Sequence, residues 1–233
     1  GTIKNLLEQG AKVLFVSLEN DIETTYSKFL SSVQGVNNIE IEKGNVAPDI
    51  EWLRKYKDKF ILTDQLFDLG DIKREVMRVK PDVVILDYIG LITIEWVRDD
   101  DKIYTPYSKQ VKTFVQKNKN IAWIDLSNLT TSETEDEIRK HGKFNGSAAL
   151  KNNTDFWLHM FHYKPYYEYR EFAMEKGSKE AYEKFKNFKV VTFYISKNRL
   201  WPDFAEKEYG INFDEWINYL PISEEKKALW KSF

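Results

Sequence analysis

The sequence predicts an α/β fold, a mostly parallel sheet with helices on both faces, and three observations carry that prediction. Short continuous apolar runs recur along the chain, as in Lys12 to Ser17, Phe60 to Thr63, Pro81 to Leu86 and Ile121 to Leu126. Runs without polar alternation suit strands buried on both faces. Stretches with apolar residues at helical spacing separate these runs, so strand and helix alternate as in parallel crossover units. The runs also end on polar or acidic residues, at the carboxyl edge where open α/β sheets hold their ligands.

Taken in order, Ile3, Leu6 and Leu7 sit at helical spacing, and Gly10 suits a helix C-cap. The chain is therefore expected to begin inside a helix. The run from Lys12 to Ser17 is a buried strand that delivers Leu18, Glu19 and Asn20 to its carboxyl end. Asp21 then opens a helix with Ile22, Tyr26, Phe29, Leu30 and Val33 on one face. Asp49 to Tyr56 is a short helix, Phe60 to Thr63 a strand, and Asp71 to Val79 the helix that leads into the central strand.

That central stretch, Lys80 to Ile92, is the one around which the others are arranged. Pro81 stands at its start, where a missing N–H costs little, and Asp87 stands at its carboxyl end, followed by a Tyr-Ile-Gly turn. On this stretch alone two readings of Asp87 stay open: an acid that faces a ligand, or a carboxylate that caps the following turn. Trp96 to Thr105 is a polar loop with three successive aspartates, and Tyr107, Val111, Phe114 and Val115 restore helical periodicity. Ile121 to Leu126 is the next buried strand.

Ser127 to Asn145 has little apolar content and is a long polar loop, a length that in compact domains usually carries function. Asp155 to Phe161 and Lys189 to Ile195 are further strands, separated by a charged helical insertion at about 166–187. Residues 212–233 contain Trp216, Tyr219, Leu220 and Trp230 and form a packed carboxyl-terminal extension. No repeat period and no low-complexity linker interrupts the chain, so residues 1–233 are expected to form a single domain.

Composition narrows the chemistry. Thirty-five basic residues against thirty-seven acidic ones leave a net charge of −2, so any nucleic-acid contact must be a local patch. There is no cysteine, which removes disulfides and thiolate metal sites. His141, His159 and His162 form no metal-ligand spacing, and no structural metal is expected. No apolar stretch approaches the roughly 20 residues that span a bilayer, and the amino end lacks signal-peptide features. A cytoplasmic protein is expected.

Five short motifs then appear in a particular order. Ser17-Leu18-Glu19 ends the first strand, and Asp87-Tyr88-Ile89-Gly90-Leu91-Ile92 ends the central one. Ser127-Asn128-Leu129 follows the strand after that, Gly146-Ser147 precedes Thr154-Asp155, and Lys197-Asn198-Arg199 ends the last strand named. In this order, and over nearly the whole chain, they resemble the RecA-like carboxyl-terminal motor domain of DnaB-type hexameric replicative DNA helicases, including those of phages. The resemblance implies a RecA-like P-loop NTPase core that uses ATP and Mg²⁺ to move along single-stranded DNA as a hexameric ring. Primase or a helicase loader is the further partner it implies.

Residue roles follow from the same resemblance. Phosphoanhydride hydrolysis needs a metal on the phosphates, an oriented water and positive charge where negative charge develops. Asp87 would hold Mg²⁺ through water, and Glu19 would polarise the attacking water. Ser127 and Asn128 would sense the terminal phosphate. Lys197 and Arg199 would reach across a subunit boundary to the neighbour's nucleotide. The loop from Thr130 to Phe144 would grip single-stranded DNA through Arg139, Lys140 and Lys143.

One part of the pattern is absent. The sequence contains no Gly-x-x-x-x-Gly-Lys-[Ser/Thr] phosphate loop, since its one Gly-Lys pair, Gly142-Lys143, is followed by Phe144. The expectation is truncation, with the chain starting partway along the helix after the loop and inactive as given. A non-hydrolysing RecA-like module that binds DNA or partners is the alternative class, and a recombinase or clock-type ATPase the alternative within enzymes.

Overall fold

The computed structural model describes residues 2–97, 103–127, 148–176, 188–199, 206–212 and 220–231. They divide into two compact units, Gly1–Val33 with Ala47–Thr154, and Gln34–Val46 with Asp155–Phe233.

The first unit is the α/β layer the sequence predicts. Its strands are β1 (Val13–Ser17), β2 (Phe60–Thr63), β3 (Val83–Asp87) and β4 (Ala122–Asp125), all parallel, in the order β2-β1-β3-β4. Helices α1 (Thr2–Glu8), α2 (Ile22–Gln34), α4 (Ile50–Tyr56), α5 (Leu69–Val79), α6 (Tyr104–Lys117) and α7 (Ala148–Asn153) belong to the same part of the chain. Side chains alternate across the sheet, so the two faces collect different partners. Val13, Phe15, Phe60, Val83 and Ile85 form one core with Leu7 of α1, Phe29 of α2 and Tyr56 of α4. Leu14, Val16, Val84 and Leu86 point to the other face and are fully buried. There Phe114 of α6 packs edge-on against Trp123 of β4, and Lys73 of α5 donates to Gln110 of α6 at 2.6 Å.

Local chemistry explains the helix ends. The N–H of Thr24 donates to the Asp21 carboxylate at 2.7 Å and that of Ile22 to Asp64 at 3.0 Å, which ties the start of α2 to the end of β2. Asp49 caps α4 through the N–H of Trp52. Asp68 caps α5 through Gly70 and Asp71, so this helix starts at Leu69, two residues before the acid from which the sequence reading starts it. It ends on Lys80 in the left-handed conformation, whose N–H reaches the Val76 carbonyl at 2.8 Å.

The expectation of a buried strand at Ile121 to Leu126 needs correction. Among the described residues β4 pairs with β3 alone, and Ala122 and Ile124 are exposed. An apolar run states that a strand is hydrophobic but not how many neighbours it has.

The second unit holds a different sheet. Strands β5 (Phe156–His162), β6 (Phe188–Asn198), β7 (Glu206–Asn212) and β8 (Leu220–Pro221) are antiparallel in that order. Neither this antiparallel pairing nor strand β7 is part of the sequence reading. The same unit contains α3 (Asn38–Glu42), α8 (Lys164–Lys176) and α9 (Glu224–Lys231). The expected helical insertion therefore begins at Lys164, while 177–187 lie outside the described residues. Tyr163, Tyr166, Val190 and Ile222 form the core, so the carboxyl-terminal extension contributes to it.

Candidate functional site

The strand order creates the site. From β1 the chain crosses to β2 on one side, and β3 returns to pair on the other side of β1. The crevice outside the carboxyl ends of β1 and β3 is thus the topological switch point, where open α/β sheets bind ligands. Ser17 stands in register with Asp87 across it. The N–H groups of Leu18 and Glu19 both donate to the Asp87 carbonyl, at 2.7 and 3.3 Å, so the backbone itself holds Glu19 beside Asp87. Ser17 Oγ donates to the Asn20 carbonyl at 2.6 Å and lies 3.0 Å from Thr25 Oγ1, which fixes the turn that carries Glu19 onto α2.

Asp87 has the electrostatics of a ligand-facing acid. Its carboxyl pKa is raised first by burial and then by the charge of Glu19, while Lys28 of α2 pulls it back down. No hydrogen bond reaches its carboxylate among the described residues. A capping carboxylate would accept backbone N–H groups, as Asp21, Asp49 and Asp68 do, and Asp87 accepts none. Two neighbouring acids, one half-buried and unbonded, suit a divalent cation, which relieves their repulsion. Mg²⁺ in particular needs only one or two protein carboxylates when phosphates complete its shell. No cluster of three or more potential metal ligands occurs among the described residues.

Lys28 is a member of the site that the sequence reading leaves out. Its ammonium donates to Asn20 Oδ1 at 3.0 Å and lies close enough to act on Asp87. The signal was available: Asp21, Thr25 and Lys28 fall at i, i+4 and i+7, one stripe of α2.

After Asp87 the chain makes a 3₁₀ turn, Ile89–Leu91, whose first N–H donates to the Leu126 carbonyl at 3.0 Å. The N–H of Leu126 in turn donates to the Leu86 carbonyl at 2.9 Å. Ser127, exposed, is thereby brought to the same edge as Asp87. A Cβ at Gly90 would meet the Tyr88 ring, so a larger residue there would have to displace that side chain.

Behind Ser127, the Asp125 carboxylate accepts from Tyr107 Oη at 2.5 Å and from Trp123 Nε1 at 2.8 Å. Burial raises its pKa to about 6, and the two hydrogen bonds only partly oppose the rise. A raised acid binds more protons folded than unfolded, so stability falls as pH climbs through the interval up to about 6 and stays low above it. Asp125→Asn keeps an acceptor for both donors and removes the charge. It should therefore raise stability at pH 7.5 by up to about 3 kcal/mol, and change little at pH 4. Denaturant titrations at the two pH values check this, and equal effects at both would show that Asp125 is not charged in the fold.

The second unit holds the basic pair. Lys197 lies opposite Trp157 on β6. Arg199, just past the strand, donates its backbone N–H to the Asp155 carbonyl and its Nη1 to the Asp155 carboxylate, both at 2.9 Å. Two of the five motifs, Thr154-Asp155 and Lys197-Asn198-Arg199, thus meet in space. Glu19, Asp87 and Ser127 are brought together in the first unit, while Lys197 and Arg199 belong to the second. Asn128, Arg139, Lys140 and Lys143 lie outside the described residues.

Comparison with known proteins adds three findings. Residues 2–203 match the family model described as DnaB-like helicase C terminal domain. The chain is similar to a solved ATPase domain, with a TM-score of 0.69 and 17% identity over 94% of this chain and 78% of that one. It is also similar to a DnaB-like replicative helicase solved for its interactions with primase, with a TM-score of 0.66 and 17% identity over 94% of this chain and 52% of that one. The chain thus spans about half of the second structure's length. No curated protein matches.

Proposed function

We propose that this chain, which belongs to the DnaB-like helicase C-terminal domain family and is a replicative-helicase motor domain, uses Asp87 and Glu19 as the acidic half of a Mg²⁺-ATP hydrolysis site. The observation that carries this reading is the Asp87 carboxylate, half-buried and without a hydrogen bond, placed beside Glu19 at the switch point of the parallel sheet. Mg²⁺ on the nucleotide phosphates supplies charge neutralisation when bound.

The protein's own residues do the rest. Asp87 would hold the metal through water, and its repulsion with Glu19 favours a cation beside them. Glu19, exposed at the rim, orients the attacking water and accepts its proton. Lys28 moderates the like-charge pair from α2. Ser127 and Asn128 read the terminal phosphate from the end of β4. Lys197 and Arg199 neutralise charge on the nucleotide of an adjacent subunit in a hexameric ring, and Arg139, Lys140 and Lys143 contact single-stranded DNA. Primase or a loader is the partner class this assembly would engage, and replication work of this kind belongs to the cytoplasm. No helix among the described residues is long and apolar enough to cross a membrane.

The 233 residues contain the acids but no phosphate loop. Backbone N–H groups that cradle the phosphates supply much of the grip on a nucleotide in this fold class. Isothermal titration of this chain with Mg²⁺-ATP should therefore give affinity no tighter than about 1 mM, equivalent to about 4 kcal/mol or less, and no turnover. Micromolar binding with hydrolysis would place the phosphate grip elsewhere in the chain and overturn this division of roles.

A further inference from the structure

Near its carboxyl end, strand β6 contains one residue more than its partner. Tyr194 stands opposite His159 and Ile195 opposite Leu158, but the next pair joins Lys197 to Trp157, so no residue of β5 faces Ser196. Ser196 is a β-bulge, an extra residue that leaves the ladder and re-aims the side chains after it. Beyond Tyr194 no residue of β7 pairs with β6 among the described residues, so β5 directs this end of the strand.

The shift decides which face carries the basic pair. Side chains alternate along a strand, and opposite residues share a face. In a regular ladder Lys197 would stand opposite Phe156 and Arg199 opposite Thr154, on the side of Leu158 and Met160. That side is apolar, and Phe156, Leu158 and Met160 are all exposed on it. With the bulge, Lys197 stands opposite Trp157 and Asn198 opposite Phe156. Arg199 then meets Asp155 through both its backbone N–H and its guanidinium. Both basic residues thus share the face of Asp155, Trp157 and His159, because one extra residue exchanges the two faces.

The bulge is tied down from that same face. Ser196 Oγ and His159 Nε2 share a hydrogen bond of 2.8 Å. His159 is 2% exposed, and its ring is stacked on Tyr194 with centroids 5.9 Å apart and stands 6.1 Å from the Trp157 ring. A ring packed in this way offers its nitrogen from a fixed place, and a buried nitrogen that loses its partner is costly. The bond therefore holds the one residue that the ladder does not.

We propose that Ser196 and His159 are positioning residues for ATP hydrolysis: the bulge anchored by His159 turns Lys197 and Arg199 together to the face from which they serve the nucleotide. The inference rests on the role given to Lys197 and Arg199 under the proposed function. Ser196 and His159 act through the register alone.

The chain has no cysteine, so introduced pairs report the register by disulfide formation. Phe156→Cys/Asn198→Cys joins positions that are opposite in the bulged ladder, and Phe156→Cys/Lys197→Cys joins positions that are opposite in the regular one. The first pair should oxidise faster than the second by about tenfold or more. Ser196→Ala, added to each pair, should abolish or invert this preference, whereas Ser196→Thr, which keeps the hydroxyl, should retain it. His159→Phe should act as Ser196→Ala does. Circular dichroism checks the fold, and Ser196→Ala carries the test if His159→Phe unfolds the chain. In a longer form that carries a phosphate loop, Ser196→Ala should lower DNA-stimulated kcat by about tenfold or more with KM for ATP unchanged, and Ser196→Thr should not. An unchanged cysteine preference in Ser196→Ala overturns the anchored bulge, whatever the turnover. A lost preference with full turnover overturns instead the role of Lys197 and Arg199 in hydrolysis, and the positioning role with it.

Discussion

Arg199→Ala, made in a longer form of this protein that carries a phosphate loop, should lower DNA-stimulated ATP turnover by about 10³-fold, the scale typical of a charge supplied in trans to a phosphoryl-transfer transition state. The structure sharpens the comparison that gives this result meaning. Arg199 pairs with Asp155, and both side chains are about half exposed. An exposed pair of that kind contributes about 1 kcal/mol or less to stability, whereas a 10³-fold loss of turnover corresponds to about 4 kcal/mol in the barrier. The pair alone cannot account for such a loss. Asp155→Asn breaks the same ion pair while leaving the cation, and should reduce turnover by less than about tenfold. Equal losses in the two variants would reduce Arg199 to a structural role. Mixing Arg199→Ala with Glu19→Ala subunits should restore part of the activity, because some interfaces then combine an intact Glu19 with an intact Arg199 from the adjacent subunit. No recovery despite subunit exchange would remove the trans assignment.

Glu19→Gln in the same longer protein should lower turnover by about 10²- to 10⁴-fold with nucleotide affinity retained, the range for loss of a general base. Asp87→Asn should instead raise the Mg²⁺ concentration needed for half-maximal activity. The two variants also separate in stability. Burial and Glu19 both disfavour the charged form of Asp87 in the fold, so above its raised pKa the ionised group costs stability, and the asparagine variant should melt at a higher temperature at pH 7. A carboxylate that capped the turn would show the opposite, a lower melting temperature on replacement. Thermal melts of the parent and Asp87→Asn at pH 7 decide between them.

Much of the first unit was legible because its signals are local. The unbroken apolar runs at Val13–Ser17 and Val83–Asp87 are central strands, and the capped, periodic stretch after Asp21 is α2. Glu19 and Asp87 could be singled out because each ends such a run. The second unit was less legible. Period and propensity do not state a strand's partner, so β5 and β6 were recognisable as strands while their antiparallel pairing, and β7 beyond them, were not.

By itself the sequence determined the strands and most of the helices of the first unit and which of those strands end on acids, since burial on two faces and helix capping depend on residues a few positions apart. Only the tertiary structure decided what those acids meet. Strand order brought Asp87 against Glu19 at a switch point, and α2, tied at its start to Asp64 at the end of β2, carried Lys28 to them. The same applies to Asp125 enclosed by Tyr107 and Trp123, and to Arg199 paired with Asp155 forty-four residues away. These contacts depend on how separate elements pair and pack, and the free energy of a charge is set by the groups that surround it in space rather than by its neighbours along the chain.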